Sequence, residues 1–352
     1  MWLVLAVSSV GDWLGLLATS TFAAGRFDDP VAQGAAFGGV IAVRLLPALV
    51  LGPLAGVLAD RFDRRHTLIG CDLLPFALFA SIPTAGLVLA DRGVVVGWAA
   101  IATFLIEALA MVWSPARDAA IPTLVPREGL EAVNRLSLAT TYGVTPVVAA
   151  LVMAGLHGLA NLVFAGPVPA WGDPVTAALY LNAATFLVNV GVLTVGTAGP
   201  HRPPARARRG VGVRPPDSFR TWCGHRNPVA FAGAGVVIGA VQRYAQAVGG
   251  GDVAFALLFA ALFAGMALGV VCGPTLVHGF SRRRWFALSI VLAGFCVAAL
   301  AVAPDPGTAA AACLGTGARA GMAFLAGWTL LGGEVGDELR GRVFGFGEAG
   351  DG

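Results

Sequence analysis

Polar residues in this chain interrupt long apolar runs; they do not form one face of alternating or amphipathic segments. Ten such runs occur, at 2–24, 34–59, 68–90, 94–113, 132–156, 174–196, 228–247, 253–277, 285–303 and 308–331. Each has roughly the 20 residues that carry an α-helix across about 30 Å of hydrocarbon. The runs are continuous, unlike the ten-residue alternations of a membrane barrel, so helices are expected. The pattern predicts an all-α polytopic membrane protein with ten spans.

Composition agrees with that reading and narrows the function classes. Of 352 residues, 57% are hydrophobic and 12% charged, and the mean hydropathy is +0.78. Soluble domains carry roughly 25% charged residues, so a soluble enzyme and a disordered chain are both excluded on this ground. All 23 basic residues are Arg, and the net charge of +3 is too small to argue for nucleic acid. The five cysteines form no C-x-x-C pair, which leaves neither a disulfide framework nor a metal site to expect. With no Lys there is no phosphate loop, and no H-E-x-x-H occurs. No enzyme and no cofactor are expected.

Charge asymmetry orients the spans, because short cytoplasmic loops collect Arg. With the N-terminus in the cytoplasm of a cell whose inner membrane holds the chain, only Arg26 and Arg92 lie in exterior loops. Arg44, Arg243 and Arg319 fall within spans, and the other arginines lie on the inner side. Residues 197–227, rich in Pro and Arg, read as a flexible cytoplasmic linker. It divides six spans (residues 1–196) from four and a tail (residues 228–352). A weak repeat crosses the linker: an offset of 218 aligns Gly56 with Pro274, Asp60 with His278, and Arg64–Arg65 with Arg282–Arg283. Two related halves are a common transporter construction.

Ionisable residues inside spans are functional candidates by default. Asp12 lies about 15 Å along the first span by helical rise. Arg44 sits in the second span and Glu107 in the fourth. Each carboxyl is a candidate for proton exchange. The plainer alternative is mutual neutralisation, Asp12 with Arg44 and Glu107 with Arg117. Asp72, near the start of the third span, reads as interfacial and structural.

The junction GVLADRFDRR, Gly56 to Arg65, resembles the cytoplasmic loop motif G-x-x-x-D-R-x-x-R-R of major facilitator superfamily transporters. The resemblance implies a gate in which Gly56, Asp60, Arg61, Arg64 and Arg65 hold the two halves together on the inner side. Residues 114–136 resemble the loop between spans four and five in the superfamily's drug and siderophore exporter branch, which includes macrolide and enterobactin exporters. The branch's span-five antiporter motif is only partly met in GVTPVVAAL, which keeps Gly143 and Pro146. From this follow a twelve-helix bundle and proton-coupled efflux of small hydrophobic compounds by alternating access. Two helices are then missing, so the chain is expected to be a fragment, cut before helices eleven and twelve. SSVGDWLGLLATSTFAA, GGGDVAFALLFAALFAG and SRRRWFALSIVLAG also resemble the membrane part of actinobacterial proteins that continue into a thymidylate kinase. That resemblance implies an alternative: a transporter-derived anchor for a fused or downstream kinase, or a fragment that transports nothing.

Overall fold

The computed structural model describes residues 2–59, 64–118, 140–164, 168–196, 238–239, 241–248, 250–276 and 281–334, and all regular structure among them is helical. The helices are α1 (Trp2–Ala24), α2 (Pro30–Ala59), α3 (Arg64–Val88), α4 (Arg92–Asp118), α5 (Thr145–Val163), α6 (Pro174–Gly196), α7 (Gly251–Leu276), α8 (Arg282–Ala301) and α9 (Pro306–Glu334). A π-helical turn, Thr140–Val144, leads into α5, and residues 241–247 are helical as well. Eight of the helices contain, among the described residues, a stretch long and apolar enough to cross a membrane. The outward sides carry exposed Leu73, Leu74, Leu151, Leu268 and Phe295, which suits a lipid environment. The protein is a multi-pass membrane protein.

The boundaries have local causes. Pro30 opens α2, where its missing N–H costs nothing, and Asp29 Oδ2 accepts from Ala32 N at 2.8 Å. Asp305 does the same for α9, accepting from Gly307 N at 2.9 Å and Thr308 N at 3.0 Å. Tyr244 donates its hydroxyl to the Ala303 and Asp305 carbonyls at 3.1 Å each, tying residues 241–247 to the α8–α9 turn. Gly251, with φ +53°, takes the left-handed conformation that starts α7. The arginines aligned by the repeat begin corresponding helices, Arg64 in α3 and Arg282 in α8.

α5 runs to Val163, beyond the end expected near residue 156. The helix continues because His157 Nδ1 meets the Met153 carbonyl at 2.9 Å on its own helix, so the imidazole needs no bend to find a partner. Of the expected seventh span, only residues 238–239 and 241–247 are described. The 197–227 stretch lies outside the described residues.

Packing follows the small residues, as it does where lipid removes any hydrophobic drive between helices. α1 packs on α2, α5 and α6, α3 on α4 and α6, and α2 on α4. α7 joins α5 on one side and α9 on the other, and α8 packs on α9. The α7–α9 seam is built from two G-x-x-x-G pairs, Gly265/Gly269 and Gly317/Gly321. A Cβ at Gly265 would overlap Leu314 O, one at Gly269 would overlap Ala318 O, and one at Gly317 would overlap Leu262 O. Gly11 and Gly15 of α1 seat the same way against Asn182 of α6.

Two measurements check these readings. Gly269→Ala drives a methyl into backbone that cannot turn aside, and is expected to cost about 1–3 kcal/mol, as overpacking does. Gly294→Ala in α8 meets nothing within 4 Å and should leave stability unchanged or raised; equal melting temperatures in detergent for the two variants would refute the seam. The bonds from Thr308 and Gly307 hold the Asp305 carboxyl below its ordinary pKa. A depressed folded-state pKa adds stability above the unfolded value and loses it as pH falls through the folded one. Asp305→Asn should therefore lower the melting temperature at neutral pH, with the gap to wild type narrowing below about pH 4.

Candidate functional site

Four helices bring ionisable side chains together within the bundle. Arg44 of α2 sets its Nε 2.6 Å from Glu107 Oε1 of α4, with both side chains partly buried. The same guanidinium donates from its Nη1 to the main-chain oxygen of Asp12 on α1 at 3.1 Å. Asp72 of α3 is 2% exposed, feels the charge of Asp12, and is approached by the Trp113 indole of α4. By helical rise Asp12 lies about 15 Å from Trp2, and Glu107 about 16 Å from Asp118. Both sit deep within their spans.

Of the three residues proposed for transport, Arg44 and Glu107 thus meet through their side chains, and Asp12 joins them through its main-chain oxygen while its side chain is exposed. Their partners differ from the sequence expectation. Arg117 is ten residues from Glu107 on the same helix, about 15 Å away by rise; Arg44 takes that position from the neighbouring helix. Asp72 is buried, not interfacial, because α3 begins at Arg64 and so carries it two turns into the bundle. Its membership was missed in the sequence, where only its distance from the apolar run's start was visible.

The span-five residues have a structural role. Pro146 has no N–H to give to the preceding turn, which is π-helical. The Thr141 carbonyl is served by Trp13 Nε1 at 2.8 Å and Thr145 Oγ1 at 3.0 Å. Thr145 Oγ1 also bonds Ser9 Oγ at 2.8 Å, so α1 and the start of α5 are stitched together. A Cβ on Gly143 would come 2.9 Å from Ala267 Cβ, so Gly143 lets this turn lie on α7. Trp13 packs edge-on against Phe263 of α7, centroids 4.7 Å apart, and near Phe259. Phe37 of α2 meets Phe255 at 5.5 Å. Of the gate motif, Gly56 lies in α2 and Arg64 and Arg65 open α3, while Asp60 and Arg61 lie outside the described residues.

A second polar region occupies the other end, where α1 and α3 finish and α2, α6 and α7 begin. A cavity of about 350 Å³ is lined there by Arg26, Gln33, Asp173, Gln242, Gln246 and Asp252 among others. Arg26 stacks on Phe22, 4.2 Å from the ring centroid, and burial lowers its pKa while Asp173 opposes that shift. His157 Nε2 of α5 lies 3.4 Å from Asp252 Oδ2 of α7. Arg243 donates to the Pro30 carbonyl at 3.2 Å. The His157–Asp252 and Arg243–Pro30 contacts were not visible in the sequence, since each joins residues far apart in the chain.

Removing one partner of a buried ion pair costs about 3–5 kcal/mol, because the other charge is left uncompensated. Arg44 and Glu107 are only partly buried, so Arg44→Gln is expected to destabilise the purified protein by less than that. Arg44→Gln with Glu107→Gln should recover most of the loss. A double variant no better than the single, by thermal denaturation, would show that the pair is not what holds these helices.

No protein-family model matches the chain. It is 36% identical over 141 residues to an MFS-type transporter of Mycobacterium tuberculosis, covering 39% of this chain and 30% of that protein. It is 36% identical over 110 residues to macrolide efflux protein A of Streptococcus pyogenes, covering 30% of this chain and 26% of that protein. The matched stretch therefore spans under a third of these curated relatives. Among solved structures, the inward-open xylose transporter of E. coli superposes with a TM-score of 0.63 at 15% identity, over 98% of this chain and 86% of that one. The chain is similar in sequence to MFS-type transporters and has the all-α polytopic fold of the transporters on which it superposes.

Proposed function

We propose that this chain belongs to a secondary active transporter of the major facilitator type that exports small hydrophobic compounds against protons by alternating access. The observation that supports this most is the meeting of Asp12, Arg44 and Glu107 in mid-bundle, contributed by α1, α2 and α4. Intramembrane charges in such a bundle mark proton or substrate paths. Asp12 is the proton-binding site in this reading. Arg44, fixed by Glu107 and by the Asp12 carbonyl, senses whether Asp12 is charged. Trp13, one residue from Asp12 and packed edge-on against the buried Phe259 and Phe263, offers the aromatic side chain on which a hydrophobic substrate would rest. The similarity to macrolide efflux protein A favours the same substrate class.

Residues 1–196 and 228–352 form the two moving halves in this mechanism, joined by the cytoplasmic linker 197–227. Gly56, Asp60, Arg61, Arg64 and Arg65 latch them on the inner side. Gly143 and Pro146 set the bend of α5 against α7, where the halves slide. The N-terminus is cytoplasmic, and the membrane is the plasma (inner) membrane.

Asp12→Asn tests the coupling role. Inverted vesicles carrying the chain should show macrolide-dependent proton release with a pH-sensitive dye, and the variant should lose at least tenfold of it at equal abundance. Unchanged release in the variant would remove Asp12 from the mechanism.

A further inference from the structure

The bond between His157 and Asp252 spans two helices that the proposed mechanism assigns to different halves. α5 carries the histidine and α7 the aspartate, at the end of the bundle opposite the Arg-rich loops. Asp252 lines the 350 Å³ cavity at this end, together with Asp173 and Arg26. The cavity gives solvent and protons a route to the pair that does not pass through the apolar core.

We infer that His157 and Asp252 form the outer closure of the transport path, and that a proton taken up by His157 from the outer cavity strengthens it. This rests on the proposed transporter reading and its orientation. Burial of the imidazole opposes its charging, and the polar groups that face it act against that. Asp252 comes from α7 and Asp173 from the turn before α6, and both are acidic. The Met153 carbonyl accepts on the imidazole's other nitrogen when that nitrogen carries hydrogen. The basic residues at this end are engaged elsewhere: Arg26 on Phe22, Arg243 on the Pro30 carbonyl, and Arg92 on Asp28 at 2.8 Å. A neutral imidazole offers Asp252 at most one hydrogen bond. An imidazolium offers a charge-assisted bond, roughly twice as strong.

The sign of the effect couples the closure to the direction of transport. Acid outside protonates His157, tightens α5 against α7 at this end, and favours the state open to the other side. In an exporter driven by protons, that is the return step which follows proton loading from outside. The contact between Gly143 and Ala267 lies further along the same pair of helices and leaves α5 close enough to α7 for the bond to form.

The test reads exposure of the cavity in whole cells. Thr176, 3% exposed and lining the cavity, is replaced by Cys in the full chain, with the five native cysteines changed to Ala. Modification by a membrane-impermeant maleimide is compared at fixed maleimide reactivity, set with a free-thiol standard. The rate should fall several-fold as external pH drops across the histidine range, about 7.5 to 5.5. His157→Gln and Asp252→Asn should each abolish that dependence and leave the acid rate at the wild-type neutral value. A pH dependence that persists in both variants overturns the closure, as does a rate independent of pH in the starting protein. Labelling confined to inverted vesicles overturns the outer placement. Loss of macrolide export with pH-gated labelling intact would instead refute the export reading and leave the closure standing.

Discussion

Close approach of helix backbones at glycine is the constraint on which the rest of this bundle depends. Within a bilayer, lipid tails solvate leucine as well as another helix does, so association needs contacts that lipid cannot match. α7 and α9 obtain them where Gly265 and Gly269 meet Gly317 and Gly321, with each position filled by a carbonyl of the facing helix. α1 and α6 obtain them at Gly11 and Gly15, where Asn182 and Thr185 fill the gap. These seams decide which helices are neighbours. The placement of Asp12, one residue after Gly11, follows from how closely α1 lies on α6.

The charged cluster is a consequence of that packing. An isolated arginine in hydrocarbon is expensive, and Arg44 is tolerated because two helices reach it at once. Glu107 supplies a full counter-charge, while α1 supplies a carbonyl. This arrangement ties the position of α1 to the α2–α4 pair through a polar contact, and ties Asp12 to the same guanidinium. Asp72 and Trp113 add a second acidic corner on α3 and α4. The opposite end of the bundle is organised differently. There polar contacts, His157 with Asp252 and Arg243 with the Pro30 carbonyl, join α5 to α7 and residues 241–247 to α2, and a cavity lies beside Asp252 among the ends of α1, α3 and α6.

Spans were legible in the sequence because hydrocarbon thickness leaves little freedom in their length. α1 and α6 begin and end where the apolar runs do, and α3, α4 and α7 differ by a few residues at each end. What the apolar pattern could not supply is the angular position of each helix. Arg44 and Glu107 were both visible as buried charges, but their meeting depends on how α2 and α4 rotate against each other. Asp72 looked peripheral because the helix reached further toward Arg64 than its apolar core. The end of α5 was misplaced for a related reason: the apolar run was closed at residue 156, and only the location of Met153 and Asp252 makes His157 compatible with an unbroken helix.

Trp13 has a particular consequence for molecular discrimination. Its single N–H is committed to the Thr141 carbonyl, on a helix other than its own. The indole is therefore pinned at both its edge and its plane, since Phe263 lies against it at 4.7 Å. A ring fixed in this way cannot swing to accommodate whatever lies beside it, as a methionine would. In the proposed transport path such a ring would act as a template, separating guests of similar hydrophobicity but different outline by geometry instead of by greasiness alone.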